Sequence, residues 1–130
     1  MWSKAARMNL RRISLFVLGA GFFAAGILHF VKMPLYVRIV PPWLPAHGAL
    51  VMISGIAEIA GGIGVLVKQT RRAAGIGLIA LLIAVFPANL QMALHPQQYS
   101  DIGSSATFWA RLPLQLAIVA WVWFSCLRSY

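Results

Sequence analysis

The feature that most constrains this chain is the length of its uncharged segments. Residues 73–94 run for 22 positions without an Asp, Glu, Lys or Arg. Crossing a bilayer core of about 30 Å takes about 20 apolar helical residues, so this segment is long enough to span a membrane. Charged residues make up 10% of the whole chain, whereas soluble domains carry about 25%. The composition therefore excludes a water-soluble globule.

Three further segments have the same character. Residues 13–31 are free of charge, and residues 48–67 are interrupted only by Glu58. Residues 106–127 are less uniform, because they include Arg111. We therefore predict an all-α fold, an integral membrane four-helix bundle. Residues 1–130 are expected to form a single membrane domain with spans at about 13–31, 48–67, 73–94 and 106–127.

The charges are one-sided and indicate how the bundle is oriented. Eleven Lys and Arg stand against two acids, a net charge of +9, and the basic residues flank apolar segments, which indicates a membrane and no nucleic acid. Eight of the eleven lie beside the two termini and the 68–72 loop, whereas Lys32, Arg38 and Arg111 lie on the other side. The positive-inside rule then places both termini in the cytoplasm. The outer loops, 32–47 and 95–105, are long enough only to cap the bundle.

Polar residues inside the spans are the candidates for function, because ionisable groups at membrane depth are costly. Glu58 lies near the midplane, where such a residue costs about 2.5–3.5 kcal/mol and needs a partner or a proton. The spacing of His47, Ser54 and Glu58 places them on one helix face. The predicted topology adds more polar groups to the same outer half. The resulting candidate site residues are Glu58, Arg111, Asn89, Gln115, His29 and Ser54.

These residues allow two interpretations. In the first, Glu58 and Arg111 pair to neutralise one another, and the amide and hydroxyl groups form interhelical hydrogen bonds of about 0.6–2 kcal/mol each. In the second, they line a polar pocket that is open to the outer face, roofed by the Pro-rich 32–47 loop, and able to bind a polar head group. Three outer histidines lack metal-ligand spacing, so no metal site is predicted.

Several classes of chemistry find no support in the sequence. No serine or cysteine nucleophile has a base at recognisable spacing, and there is no P-loop. Cys126 is the single cysteine, so an intrachain dithiol mechanism is excluded, and a packing role is expected for it. Small-xxx-small pairs such as Ala57/Gly61 and Ala60/Gly64 predict close helix contact.

An ordered set of short fragments provides a family resemblance. Over residues 20–127 the set resembles the DoxX-like family of small four-helix membrane proteins. The fragments are His29-Phe30, Pro41-Pro42-Trp43-Leu44-Pro45, Ser54-Gly55 with Glu58, Arg71-Arg72, Phe86-Pro87-Ala88-Asn89 and Arg111-Leu112-Pro113-Leu114-Gln115.

The resemblance implies a redox association. The DoxX-like family is named for a subunit associated with a quinone-linked sulfur oxidoreductase, and most members have no assigned reaction. Glu58, Asn89, Arg111 and Gln115 fall on the family's motif positions, with His29 next. Some relatives in the wider group carry paired cysteines and this chain does not, which puts a thiol relay in doubt.

From the residues and the resemblance together we expect an accessory subunit of a membrane redox system in a bacterial inner (cytoplasmic) membrane. Its partners would be the lipid bilayer and redox enzyme subunits, and its cofactor a quinone. Glu58 would accept or relay a proton, while Arg111, Asn89 and Gln115 would hydrogen-bond carbonyl oxygens. Two alternatives remain: a non-catalytic assembly or scaffolding protein, and a small proton-coupled exporter. The charge bias of eight against three disfavours the exporter, because exporters that insert in both orientations require a weak bias.

Overall fold

The computed structural model describes residues 3–128, and within this range the chain is all-α, as predicted. Four helices are long and apolar enough to cross a membrane, so the protein is a multi-pass membrane protein. The short α2 and a 3₁₀ turn lie between them. The elements are α1 (Lys4–Val31), α2 (Met33–Ile39), α3 (His47–Leu66), α4 (Arg71–Leu94), the 3₁₀ turn (Pro96–Tyr99), and α5 (Ser105–Val122), which continues as a π-helical turn (Trp123–Leu127).

Side-chain caps explain where two of the helices begin. The Ser3 hydroxyl accepts a hydrogen bond from the Ala6 amide at 3.1 Å, and α1 therefore starts well before the apolar segment that predicted it. The Ser104 hydroxyl accepts one from the Thr107 amide at 3.3 Å and starts α5. Such caps satisfy backbone N–H groups that have no partner within the helix.

The spanning helices run up and down, each antiparallel to the next. α1 and α3 make the closest approach, because glycines face each other at two levels. A Cβ built on Gly19 would lie 2.7 Å from the carbonyl oxygen of Gly62, and one on Gly26 would lie 2.6 Å from that of Gly55. Only glycine permits this backbone contact.

Two apolar clusters hold the bundle together. The first lies toward the end that carries the termini and includes Leu18, Val65, Leu78 and Val122. Cys126 belongs to it and packs against Gly75 of α4, which agrees with its predicted packing role. The second lies at the opposite end, which we call the cap end, and consists of Met92, Ala93, Tyr99 and Phe108.

The two loops at the cap end are joined by an ion pair. The Arg38 guanidinium donates to both carboxylate oxygens of Asp101, at 2.6 and 3.0 Å, and to the carbonyl of Gln98 at 3.4 Å. Arg38 lies on α2, so the bond fixes the loop of residues 32–46 to the loop that follows α4. The loop between α1 and α3 was predicted to cap the bundle, and the structure shows that part of it is the short helix α2.

Candidate ligand cavity

A cavity of about 350 Å³ opens at the cap end of the bundle. This volume lies within the range of small-molecule sites, roughly 300–1,000 Å³. All four spanning helices contribute to its wall, and the loop that contains α2 covers it. Most of the wall is apolar. The polar lining residues are His29, Tyr36, Ser54, Glu58, Asn89 and Arg111.

Glu58 and His29 are neighbours across the α1–α3 contact. The Nδ1 atom of His29 lies 3.1 Å from Oε2 of Glu58, and the two side chains are 12% and 15% exposed. The same Nδ1 atom lies 2.9 Å from the carbonyl oxygen of Ala25. A carbonyl only accepts, so Nδ1 carries a hydrogen and directs it to Ala25.

One oxygen of Glu58 is consequently left without a hydrogen bond. Its Oε2 atom is shielded from solvent and accepts no hydrogen bond from any residue in the 3–128 range. The nearby imidazole directs no hydrogen to this oxygen. A buried acceptor without a donor is costly. This carboxyl oxygen is the clearest unsatisfied polar atom of the cavity.

Tyr36 of α2 completes the surroundings of His29. The two rings stack with centroids 4.2 Å apart and planes at 23°. Burial raises the pKa of the Tyr36 hydroxyl, the charge of Glu58 raises it further, and Arg111 opposes the shift. Sequence reasoning missed Tyr36. The only available signal was its position in the aromatic loop that was predicted to cover the pocket.

Arg111 lines the same cavity from α5 but does not pair with Glu58. Among residues 3–128 the close contacts between a basic and an acidic side chain are Arg38–Asp101 and His29–Glu58, the second being an ion pair only when the imidazole is protonated. No hydrogen bond joins the Arg111 guanidinium to any of those residues. The Glu58–Arg111 pair of the first of the two interpretations is therefore absent from the structure. The reason is the order of packing: α3 contacts α1 and α4, whereas α5 packs against α4.

Gln115 lies behind the cavity wall. It is 5% exposed and does not line the cavity. Its Nε2 donates to the carbonyl of Leu82, and its Oε1 accepts a hydrogen bond from Nδ2 of Asn89. Both ends of the Gln115 amide are thus occupied by α4. Gln115 therefore orients Asn89 from behind the cavity wall. The sequence predicts instead that Gln115 contacts the ligand directly.

The remaining polar residues of the sequence analysis differ in whether they line the cavity. Ser54 lines the cavity beside Glu58. His47 is on the same helix but its Nε2 lies 2.7 Å from the carbonyl of Leu44, at the start of α3. Pro87 also lines the cavity, and α4 continues through it. In the described range no group of three or more His, Cys, Asp or Glu side chains is placed to hold a metal ion.

Comparison with known proteins places the chain in a family. A family model described as a domain of unknown function, DUF8561, matches residues 18–126. The chain belongs to this family. The DUF8561 match begins within α1 and ends in the π-helical turn, so it includes all six predicted site residues and Tyr36. No curated protein and no solved structure matches the chain.

Proposed function

We propose that this DUF8561 protein is a DoxX-like accessory subunit of a quinone-linked redox system, and that its cavity holds the head group of a quinone. One observation carries the proposal. Glu58 and Arg111 line one cavity between the spanning helices without pairing with each other, and Oε2 of Glu58 accepts no hydrogen bond within residues 3–128. Charged groups in a membrane normally pair or face a ligand or water-filled pathway.

The hydrogen-bonding groups of Glu58 and Arg111 determine which kind of ligand can bind between them. A guanidinium has only donors, and an ionised carboxylate has only acceptors. A molecule with an acceptor oxygen at one end and a hydroxyl at the other would satisfy both Arg111 and Glu58. The apolar remainder of the wall, including Val51, Leu44 and Ile39, suits a flat carbon ring.

The residues fit the reduced, quinol form of such a head group for a second reason, because a quinol hydroxyl can donate to the unsatisfied Oε2 of Glu58. Arg111 would donate to a carbonyl oxygen, and Asn89, held by Gln115, would offer its remaining amide groups beside it. Glu58 would take a proton from a hydroxyl of the reduced, quinol form, with His29 beside it. A bound quinone supplies two-electron, two-proton redox chemistry.

The cysteine content supports an accessory role, because a thiol relay within one chain needs two cysteines. Cys126 is the single cysteine of the sequence and packs against Gly75, in the cluster at the other end of the bundle. We propose that electrons come from partner redox subunits and that both termini lie on the cytoplasmic side of a bacterial inner membrane. The eight-to-three bias of basic residues supports this orientation.

The test is the quinone content of the protein purified from its own membranes in mild detergent, measured after solvent extraction. We expect about one quinone per chain and at least a tenfold loss in Glu58→Gln and Arg111→Ala. Lys32→Gln is the matched control, because Lys32 is exposed at the same end but does not line the cavity.

Two results would overturn the proposal. One is a protein that is empty in several detergents, which would favour the assembly role. The other is a quinone content that stays unchanged in both cavity variants, because the quinone would then lie elsewhere on the protein.

A further inference from the structure

A second depression lies between α3 and α4, at the end of the bundle opposite the cap. Its volume is about 650 Å³, and we call it the α3–α4 groove. Its lining is apolar except for Thr70, and it consists mostly of small side chains. Ala60 and Gly64 of α3 face Ala73 and Gly77 of α4 across it. The two helices are joined by a short turn, yet they leave this space open along their sides.

Basic residues stand at the closed end of the groove. Lys68 is exposed and lies in the turn between Val67 and Thr70, both of which line the groove. Arg71 is the first residue of α4, and its Nε donates to the carbonyl of Val65 at 2.8 Å. This bond directs the Arg71 side chain back over the last turn of α3.

No Asp or Glu carboxylate within residues 3–128 is placed to neutralise these cations. The sequence contains two acids. Glu58 lines the cavity toward the cap end, and Asp101 pairs with Arg38 there. The positive charge beside the groove therefore favours an anionic group from outside the described residues.

We propose that the α3–α4 groove binds one anionic phospholipid, with an acyl chain in the groove and the phosphate on Lys68 and Arg71. Basic pockets between transmembrane helices are known to bind anionic head groups. The charge argues against a second copy of this chain as the occupant. Two copies in one membrane would bring their Lys68–Arg71 pairs together, and no acid at that end would separate the like charges.

The experiment is native mass spectrometry of the detergent-purified protein, titrated with phosphatidylglycerol or with phosphatidylcholine of the same acyl chains. We expect one phosphatidylglycerol to bind at least tenfold more tightly than phosphatidylcholine. Lys68→Gln combined with Arg71→Gln is expected to remove this preference, whereas Arg71→Lys is expected to keep most of it.

The groove itself is tested by filling it. Gly77→Leu adds a side chain where a built Cβ meets no atom within 4 Å, so the fold should tolerate it while the acyl chain loses its place. We expect at least a fivefold loss of phosphatidylglycerol binding. Gly21→Leu is the matched control, because Gly21 has equally open surroundings on α1 and does not line the groove.

Three outcomes would overturn the proposal. The first is equal binding of phosphatidylglycerol and phosphatidylcholine. The second is a loss of binding in Gly21→Leu as large as the loss in Gly77→Leu. In the third, the protein is a dimer that Gly77→Leu dissociates, and the occupant is then a second copy. None of these readouts depends on quinone, so the lipid proposal and the proposed function succeed or fail separately.

Discussion

Replacing Gly26 by alanine places a methyl group where the backbones of α1 and α3 are in direct contact. The new Cβ would lie 2.6 Å from the carbonyl oxygen of Gly55 and 2.9 Å from the amide nitrogen of Ile59. Both atoms belong to the backbone and cannot rotate away. The two helices must therefore separate, and His29, one turn further along α1, must move away from Glu58.

The magnitude follows from the contact distance. Ordinary contact begins near 3.4 Å, so the helices need about 0.8 Å of extra separation at this level, and overpacking of this kind costs about 1–3 kcal/mol. Gly21→Ala is the matched control on the same helix, since a Cβ there meets nothing within 4 Å. Alanine is favoured over glycine within a helix by about 0.5–1 kcal/mol, so the control is expected to match or exceed the wild type.

The assay is equilibrium unfolding in mixed micelles of a mild detergent and SDS, followed by tryptophan fluorescence and circular dichroism. We expect a lower free energy of unfolding for Gly26→Ala and an unchanged or higher one for Gly21→Ala. Equal stability of the two variants would refute the close α1–α3 packing from which the position of His29 follows.

Three further predictions rest on other contacts. The hydrogen bond from Arg38 lowers the pKa of the Asp101 carboxyl, so the stabilisation it provides is present above the ordinary carboxyl pKa and lost as the pH falls through the lowered value. NMR titration of that carboxyl should show a higher midpoint in Arg38→Gln, and an unmoved midpoint would contradict the pair. Gln115→Leu strands the Asn89 amide and should lower the free energy of unfolding by about 1–3 kcal/mol; a neutral result in the SDS assay would count against that bond. Cys126 is buried, so maleimide labelling in mild detergent should be at least tenfold slower than in SDS, and equal rates would contradict its packing.

The spanning helices were predictable because a bilayer demands length and lack of charge, and both are visible in the sequence. The short α2 was not predictable in the same way. It is 7 residues long, too short for a clear periodic pattern. The turn that follows it depends on Ala46 in a left-handed conformation, with φ at 53°, a conformation that non-glycine residues seldom adopt.

The partner of Glu58 shows where sequence reasoning stops. Counting charges selects Arg111, because it is the only basic residue within the predicted spans apart from histidine. The contact depends instead on which helices touch. The facing Gly26 and Gly55 bring α1 against α3, and this approach places His29 3.1 Å from Glu58. The grouping of polar residues at one end could thus be predicted, whereas the pairing within the group required the packing.

The quinone site between Glu58 and Arg111 is tested most directly by photolabelling the protein in its own membranes with an azido-quinone, followed by peptide mapping. We expect labelling of the loop around Tyr36 and of α4 near Pro87, because both residues line the cavity. Excess unlabelled quinone should suppress the labelling, and Glu58→Gln should reduce it severalfold. Labelling spread over lipid-facing helix surfaces, with no effect of competitor or of Glu58→Gln, would contradict a quinone site between Glu58 and Arg111.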